Sequence, residues 1–146
     1  MKLLILCVLA FCGITFAKLV SKTDCGKGEV QSLDIDPCTT DPCNLKAGQT
    51  VTFTLVFISN QNSTTAVLGG SASVKVPPFN YVMTLMNFPP TSLCDSISCP
   101  IVSGITYTAT YTITLPNQKA NNVLIKMTIT GDNGNTGCIT FIINVQ

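Results

Sequence analysis

The side chains best able to do chemistry in this chain are its cysteines and its carboxylates. Eight cysteines occur in 146 residues. Cys7 and Cys12 fall in the opening segment, and the other six run as one alone, two close pairs and one alone: Cys25, Cys38 and Cys43, Cys94 and Cys99, Cys138. Two chemistries compete for them, metal binding by thiolates and oxidation to disulfides. Zinc sites favour C-x2-C pairs and often recruit histidine, whereas both close pairs here have four intervening residues and the chain has no histidine. Neither a metal nor any other cofactor is expected.

The compartment decides in favour of oxidation. Residues 1–17 combine Lys2, an apolar run from Leu3 to Phe11 and a small-residue exit at Thr15-Phe16-Ala17, the layout of a cleavable secretory signal. A cut after Ala17 leaves one domain, 18–146. The apolar run is short of the roughly 20 residues that a membrane span needs, and no later segment reaches that length without polar interruption. The expected product is soluble and extracellular, with the lysosomal lumen also consistent. There, six cysteines read as disulfides. Pairing Cys38 with Cys43 and Cys94 with Cys99, which leaves Cys25 for Cys138, is the economical choice, though spacing alone leaves other pairings open. A bridge from Cys25 to Cys138 would contribute roughly 4–5 kcal/mol in the chain-entropy model, and the short ones would mainly shape loops.

The carboxylates point away from catalysis. A nucleophilic triad wants a base, usually histidine, and a paired-carboxylate mechanism needs two acids held across a cleft. Asp24, Glu29, Asp34, Asp36, Asp41, Asp95 and Asp132 gather near the N-terminus or in turns and read as solvated loop residues, so no enzyme is expected. Every basic residue is a lysine. After Lys2 departs, Lys18, Lys22, Lys27, Lys46, Lys75, Lys119 and Lys126 stand singly and balance the acids, without the basic stripe of a nucleic-acid binder.

The elements that carry these residues are strands, because apolar residues recur with period two. Ile105 to Leu115 alternates without a break with Thr106, Thr108, Thr110, Thr112 and Thr114. Phe53, Leu55 and Phe57 alternate within Gln49 to Ser59, and Ala66 to Val76 continues the habit. Val123, Ile125, Met127 and Ile129 make a further set, and Ile139, Phe141, Ile143 and Val145 the last; Glu29 to Ile35 and Phe79 to Met86 are less regular. Turn chemistry at Lys46-Ala47-Gly48, Asn60 to Thr64, Pro77-Pro78, Pro89-Pro90, Pro116 to Asn122 and Gly131 to Gly134 separates the runs. Six or seven short strands so spaced give an all-β, immunoglobulin-like sandwich of two antiparallel sheets. Asn62-Ser63-Thr64 is a glycosylation sequon in a predicted hairpin loop. The threonine ladder raises ice binding, but one strand of a twisted sandwich offers no flat array and threonine suits a solvent-facing strand.

What remains is binding. Phe53, Phe57, Tyr107, Tyr111, Met127 and Phe141 share the inward phase of their strands, and period alone does not distinguish a packed core from a hollow one. A resemblance goes further. Asp24-Cys25-Gly26, Pro37-Cys38-x4-Cys43 with Pro42 before the second cysteine, Leu45-Lys46-Ala47-Gly48, Cys99-Pro100-Ile101-Val102-x-Gly104-x-x-Tyr107 and a cysteine in the last strand resemble the ML (lipid-recognition) domain family of the Niemann-Pick type C sterol carrier and the group-two house dust mite allergens. Asn60-Gln61-Asn62, Thr64-Thr65-Ala66 and Thr130 to Gly134 resemble the mite branch more closely.

The resemblance implies two sheets splayed around an apolar cavity, the pairing Cys25–Cys138, Cys38–Cys43 and Cys94–Cys99, and a pocket role for Phe79, which follows Val76-Pro77-Pro78 as a phenylalanine does in the sterol carriers. With the inward-facing positions it implies a lipid-binding set of Phe53, Leu55, Phe57, Phe79, Tyr81, Met83, Tyr107, Tyr111, Val123, Ile125, Met127, Ile139, Phe141 and Ile143. Two segments depart from the sterol carriers. Asn117 to Asn122 replaces their apolar gate after Pro116, and residues 80–93 are longer and more apolar, as an edge strand with a loop or as a lip over the cavity. The implied function is a secreted, non-catalytic, monomeric carrier of a fatty acid, sterol or similar amphiphile. The alternatives are an innate-immune protein that binds microbial lipid, with Lys119 against anionic head groups, a chemosensory carrier of hydrophobic semiochemicals, and a structural sandwich with a filled core.

Overall fold

A computed structural model describes residues 19–146, and residues 1–18, which include the expected signal segment, lie outside the described residues. Seven strands form where alternation places them: β2 (Val30–Asp36), β4 (Thr50–Ile58), β5 (Val67–Val76), β6 (Tyr81–Ser92), β7 (Thr106–Thr114), β8 (Ala120–Gly131) and β9 (Gly134–Val145). Two short ones, β1 (Thr23–Asp24) and β3 (Cys43–Leu45), lack enough residues to show a period and escape sequence reading. Among the described residues no helix is long and apolar enough to cross a membrane.

The strands make two layers. One sheet has the order β2-β4-β7; the other has β1-β9-β8-β5-β6, with β3 added in parallel to β9. Between them Val51, Phe53, Leu55 and Phe57 of β4 meet Val123, Ile125, Met127 and Ile129 of β8 and Ile139, Phe141 and Ile143 of β9, all buried. Phe53 and Phe141 bridge the layers with ring centroids 5.9 Å apart. On the outer face of the small sheet the threonines extend over two strands, since Thr50 and Thr114 pair through their hydroxyls at 3.2 Å and Thr52 and Thr112 at 3.0 Å. Such cross-strand pairs stabilise an exposed sheet face.

Two turn assignments change. Pro89 and Pro90 lie inside β6, where the ladder with β5 shifts register between Leu68↔Thr91 and Gly70↔Phe88. Proline lacks the ladder N–H and is tolerated at a bulge on an edge strand, which β6 is. Residues 80–93 are therefore mostly edge strand. The Asn60 to Thr64 segment is not a hairpin loop, because β4 and β5 belong to different sheets and it crosses between them.

That crossover defines one end of the sandwich. Its Thr64 backbone N–H and hydroxyl and the Thr65 hydroxyl donate to the Asp132 carboxylate in the β8–β9 turn at 2.7, 2.8 and 2.8 Å. Glu29, only 7% exposed, accepts from Lys27 N at 2.7 Å and Asn60 Nδ2 at 2.9 Å. These two acids are structural latches; buried Glu29 corrects its reading as a solvated loop residue, while Asp132 stays exposed in its turn. The Cys25–Cys138 bridge ties the segment after β1 to β9, while Cys38–Cys43 and Cys94–Cys99 close local loops.

Candidate functional site

The opposite end, where β4 begins, β9 finishes and the β5–β6 and β7–β8 connections turn, is not filled. Phe53 of β4, Ala72 of β5, Leu85, Met86 and Phe88 of β6, Ile113 of β7, Leu115, Pro116 and Gln118 after it, Ala120, Val123 and Ile125 of β8, and Ile143 and Val145 of β9 surround a narrow cavity whose enclosed space is about 30 Å³. Every lining side chain except Gln118 is apolar.

Local sequence explains why space remains here. Ala72 and Ala120 supply short side chains in the large sheet, and irregularities in the ladders fall beside both, between Ala72 and Ser73 in β5–β6 and between Ala120 and Val123 in β8–β9. Bulges bend and twist a strand, so regular packing is interrupted beside both alanines. Across the gap Phe88 and Tyr111 meet edge-on with centroids 6.2 Å apart, and Tyr111 is buried. Met86 and Ile113 face both ways: they line the cavity and also an open groove along the free edges of β6 and β7, with Pro89, Ser96 and Thr110 to Thr114. β6 and β7 belong to different sheets and share no ladder, so this seam is held by side chains.

No titratable side chain lines the cavity. Among the described residues no group of three or more His, Cys, Asp or Glu could hold a metal ion. The arrangement offers an apolar ligand shape and burial, with one amide near the mouth.

Sequence similarity agrees with this architecture. The family model for the ML domain matches residues 20–145. The chain belongs to the ML domain family. Among ML domain relatives it is similar to the mite group 2 allergen Der f 2 of Dermatophagoides farinae, 30% identical over 142 residues, which are 92% of this chain and 90% of that one. It is also similar to the NPC intracellular cholesterol transporter 2 of Danio rerio, 37% identical over 101 residues, 65% of this chain and 62% of the relative. The crystal structure of a Niemann-Pick type C2 protein from the Japanese carpenter ant shares the ML fold with a TM-score of 0.69 at 11% identity, covering 86% of this chain and 99% of that one.

The residues expected to bind lipid separate into three groups. Phe53, Val123, Ile125 and Ile143 line the cavity. Leu55, Phe57, Tyr111, Met127, Ile139 and Phe141 are buried without lining it, and half-buried Tyr107 packs on Phe57 at 5.7 Å while its hydroxyl accepts from Val102 N at 2.8 Å. These seven fill the core below the cavity. Phe79, Tyr81 and Met83 are exposed and line none of it, because they sit where β5 and β6 run past their neighbours and no strand faces them.

Sequence reading missed Ala72, Leu85, Met86, Phe88, Ile113, Leu115, Pro116, Gln118, Ala120 and Val145 as lining residues. Ile113 and Leu115 were legible from the unbroken alternation of β7. Leu85, Met86 and Phe88 were not, since the ladder shifts register at Leu85 and again after Phe88.

Proposed function

We propose that this ML domain is a non-catalytic lipid carrier that holds one alkyl or acyl chain between its sheets with the polar head at the mouth. The observation that carries this reading is a cavity in which every lining side chain but one is apolar. Its enclosed space of about 30 Å³ is well below the roughly 300–1,000 Å³ of small-molecule sites, so the sheets part to admit a chain. Each buried methylene contributes about 0.8 kcal/mol, so a chain of several methylenes binds without a polar clamp. A single chain suits the narrow cavity better than two. Gln118 at the mouth, with Lys119 next in sequence, matches a carboxylate or similar head better than a purely apolar one.

Exchange follows from the seam. Because Met86 and Ile113 line both cavity and groove, rotation of these two side chains and slight parting of β6 from β7 would open a lateral path without breaking a ladder. We read the leader 1–17 as delivering the domain to the secretory route, where it acts as a monomer outside the cell. A glycan on exposed Asn62, at the far end from the mouth, would leave the cavity untouched. The similarity to a cholesterol transporter makes a sterol the competing cargo.

Gently purified protein is expected to release a fatty acid or related amphiphile on solvent extraction and mass spectrometry, and to displace a fluorescent fatty acid from itself when unlabelled ligand is added. Ala72→Phe, which fills the cavity from the large sheet, is expected to remove uptake while the protein stays folded. Protein that is empty on extraction and takes up no probe overturns the reading.

A further inference from the structure

Among the described residues every sheet edge but one is blunted. β6, at one edge of the large sheet, carries Pro89, Pro90 and two register shifts. β1 and β3, at the other, have two and three residues. β2, in the small sheet, is partly covered by Leu19, which bridges to Asp34, and by Val20, whose N–H bonds Leu33 O at 3.1 Å, and it carries Asp34 and Asp36. Proline, bulges, shortness and charge are the devices that keep an edge from pairing with another chain. β7 has none of them. Its residues, Thr-Tyr-Thr-Ala-Thr-Tyr-Thr-Ile-Thr, hold one-to-one register with β4 and include no charge, proline or glycine.

The ladder fixes which way the β7 backbone points. Just beyond its two ends the Ile105 carbonyl accepts from Ser59 N at 3.0 Å and Leu115 N donates to Gln49 O at 2.8 Å, so the odd-numbered residues bond β4. Residues of an antiparallel strand alternate between bonding one neighbour and facing away from it. Thr106, Thr108, Thr110, Thr112 and Thr114 therefore turn their N–H and C=O groups to the free edge. One of these groups is taken: Thr110 N lies 3.4 Å from Ser96 Oγ, in the loop closed by Cys94–Cys99. Past that loop the edge opens on the groove, where Thr110 to Thr114 face Met86, Pro89, Asp95 and Ser96. The Thr110 carbonyl and both backbone groups of Thr112 stand free along it.

The complement of such a row is a second extended backbone, whose donors and acceptors repeat at the same spacing of about 3.3 Å per residue. Its side chains would alternate between the faces of the sheet. Those on the inner face meet Met86 and Ile113 and are suited by apolar residues, while those on the outer face extend the threonine surface and are suited by β-branched ones. Charge narrows the occupant further. Among the described residues lining the groove only Asp95 is charged, and it is exposed, which matches a lysine or arginine in the segment. A second copy of this chain matches poorly. An antiparallel β7 centred on Thr110 would set the two Cys94–Cys99 loops, each with its Asp95 carboxylate, against one another.

We infer that the free edge of β7 docks an extended, basic segment of another protein, which joins the small sheet as an added strand beside Thr110 to Thr114. In strand addition the main-chain bonds supply affinity and the alternate side chains supply selectivity. The added strand lies over Met86 and Ile113, which also line the cavity. On the carrier reading, on which this consequence alone rests, docking closes the lateral path and slows release. The edge itself bonds a peptide whatever the cavity holds.

The test is fluorescence anisotropy of the full protein with the end-capped, dye-labelled peptide Lys-Val-Thr-Val-Thr-Val-Lys, and with a counterpart carrying glutamate for both lysines. A lysine at each end reaches Asp95 whichever way the strand runs. Binding is expected for the basic peptide, weakening as salt screens the charges, and not for the acidic one. Thr112→Pro removes an edge N–H that takes no part in the β4 ladder, and proline is tolerated on edge strands. It is expected to weaken binding about tenfold or more, whereas Thr112→Val, which keeps the backbone, is expected to bind like wild type. Asp95→Lys is expected to exchange the preference between the two peptides, and it carries the test if Thr112→Pro unfolds on melting. Wild-type protein that binds neither peptide while still displacing fatty acid overturns docking alone. So does a folded Thr112→Pro protein that binds like wild type, or a wild-type dimer in ultracentrifugation that Thr112→Pro dissolves without any peptide binding. Peptide binding by a protein that takes up no fatty acid supports docking and removes the carrier reading.

Discussion

Asp132 fastens the closed end of the sandwich through bonds that only its ionised form accepts in full. The Thr64 backbone N–H contributes most, followed by the hydroxyls of Thr65 and Thr64, and together they lower its pKa from 3.8 to about 2. A pKa depressed in the folded state means that this stabilisation is complete above 3.8 and lost as pH falls through about 2. Thermal melting across that window should show wild-type stability declining, whereas Asp132→Asn should start lower and lose less. At the other end Phe53 is fully buried, against Phe141 and beside the cavity. Phe53→Ala should cost about 3–5 kcal/mol in urea unfolding and still admit an acyl chain, because it enlarges the cavity. The alternation of Phe53 with Thr52 and Thr54 made its burial legible in the sequence, but its place beside empty space was not, since Leu55 and Phe57 share the same phase and are packed on all sides.

Strand β5 carries the contrast between neighbouring positions furthest. A Cβ on Gly70 would stand 2.0 Å from the Lys126 carbonyl oxygen of β8 and 3.1 Å from the Phe88 ring, while one on Gly69 would meet nothing within 4 Å. Gly70→Ala should therefore force β5 from β8 and destabilise by about 1–3 kcal/mol or more. Gly69→Ala should be neutral or stabilise by about 0.4–1 kcal/mol through the unfolded chain. Urea midpoints of the two variants, side by side, check both. Strands of unbroken period, β4 and β7 above all, were legible because nothing interrupts their one-to-one register over nine pairs. β6 was only partly so. Its prolines were read as a turn, and its apolar residues shift face at each bulge, so Leu85, Met86 and Phe88 carried no alternation from which a wall could be inferred.

At the scale of the molecule, the Cys25–Cys138 bridge spans a sequence separation of 113 and the Cys38–Cys43 bridge one of 5. In the chain-entropy model their loss costs about 5 and about 2 kcal/mol. Serine pairs at Cys25/Cys138 and at Cys38/Cys43 should lower the unfolding free energy in that order, and equal losses would argue against loop closure as the main term. The long bridge lies at β1 and early β9, towards the end latched by Glu29 and Asp132, and away from the cavity mouth. The long bridge and the acid latches thus fasten the end away from the cavity, while the cavity end is held by the Cys38–Cys43 loop beside β9 and by backbone bonds such as Ala47 N to Gln146 O at 2.8 Å and Gly48 N to Pro116 O at 3.2 Å.

Fold class, the layered arrangement of strands and the family were present in the chain itself. They rest on properties that run along one dimension: a period of two, punctuation by glycine and proline, and the spacing of six cysteines with the residues around them. The cavity and the placing of Phe79, Tyr81 and Met83 depend on quantities that no single strand contains. Which inward side chains surround space follows from where bulges in β6 and β8 interrupt the ladders. That Phe79, Tyr81 and Met83 stand in solvent follows from β8 ending its pairing with β5 at Ser73 while β6 continues to Val76. Phase tells a side chain which way to point, and only the packing of both sheets determines whether anything is there to meet it.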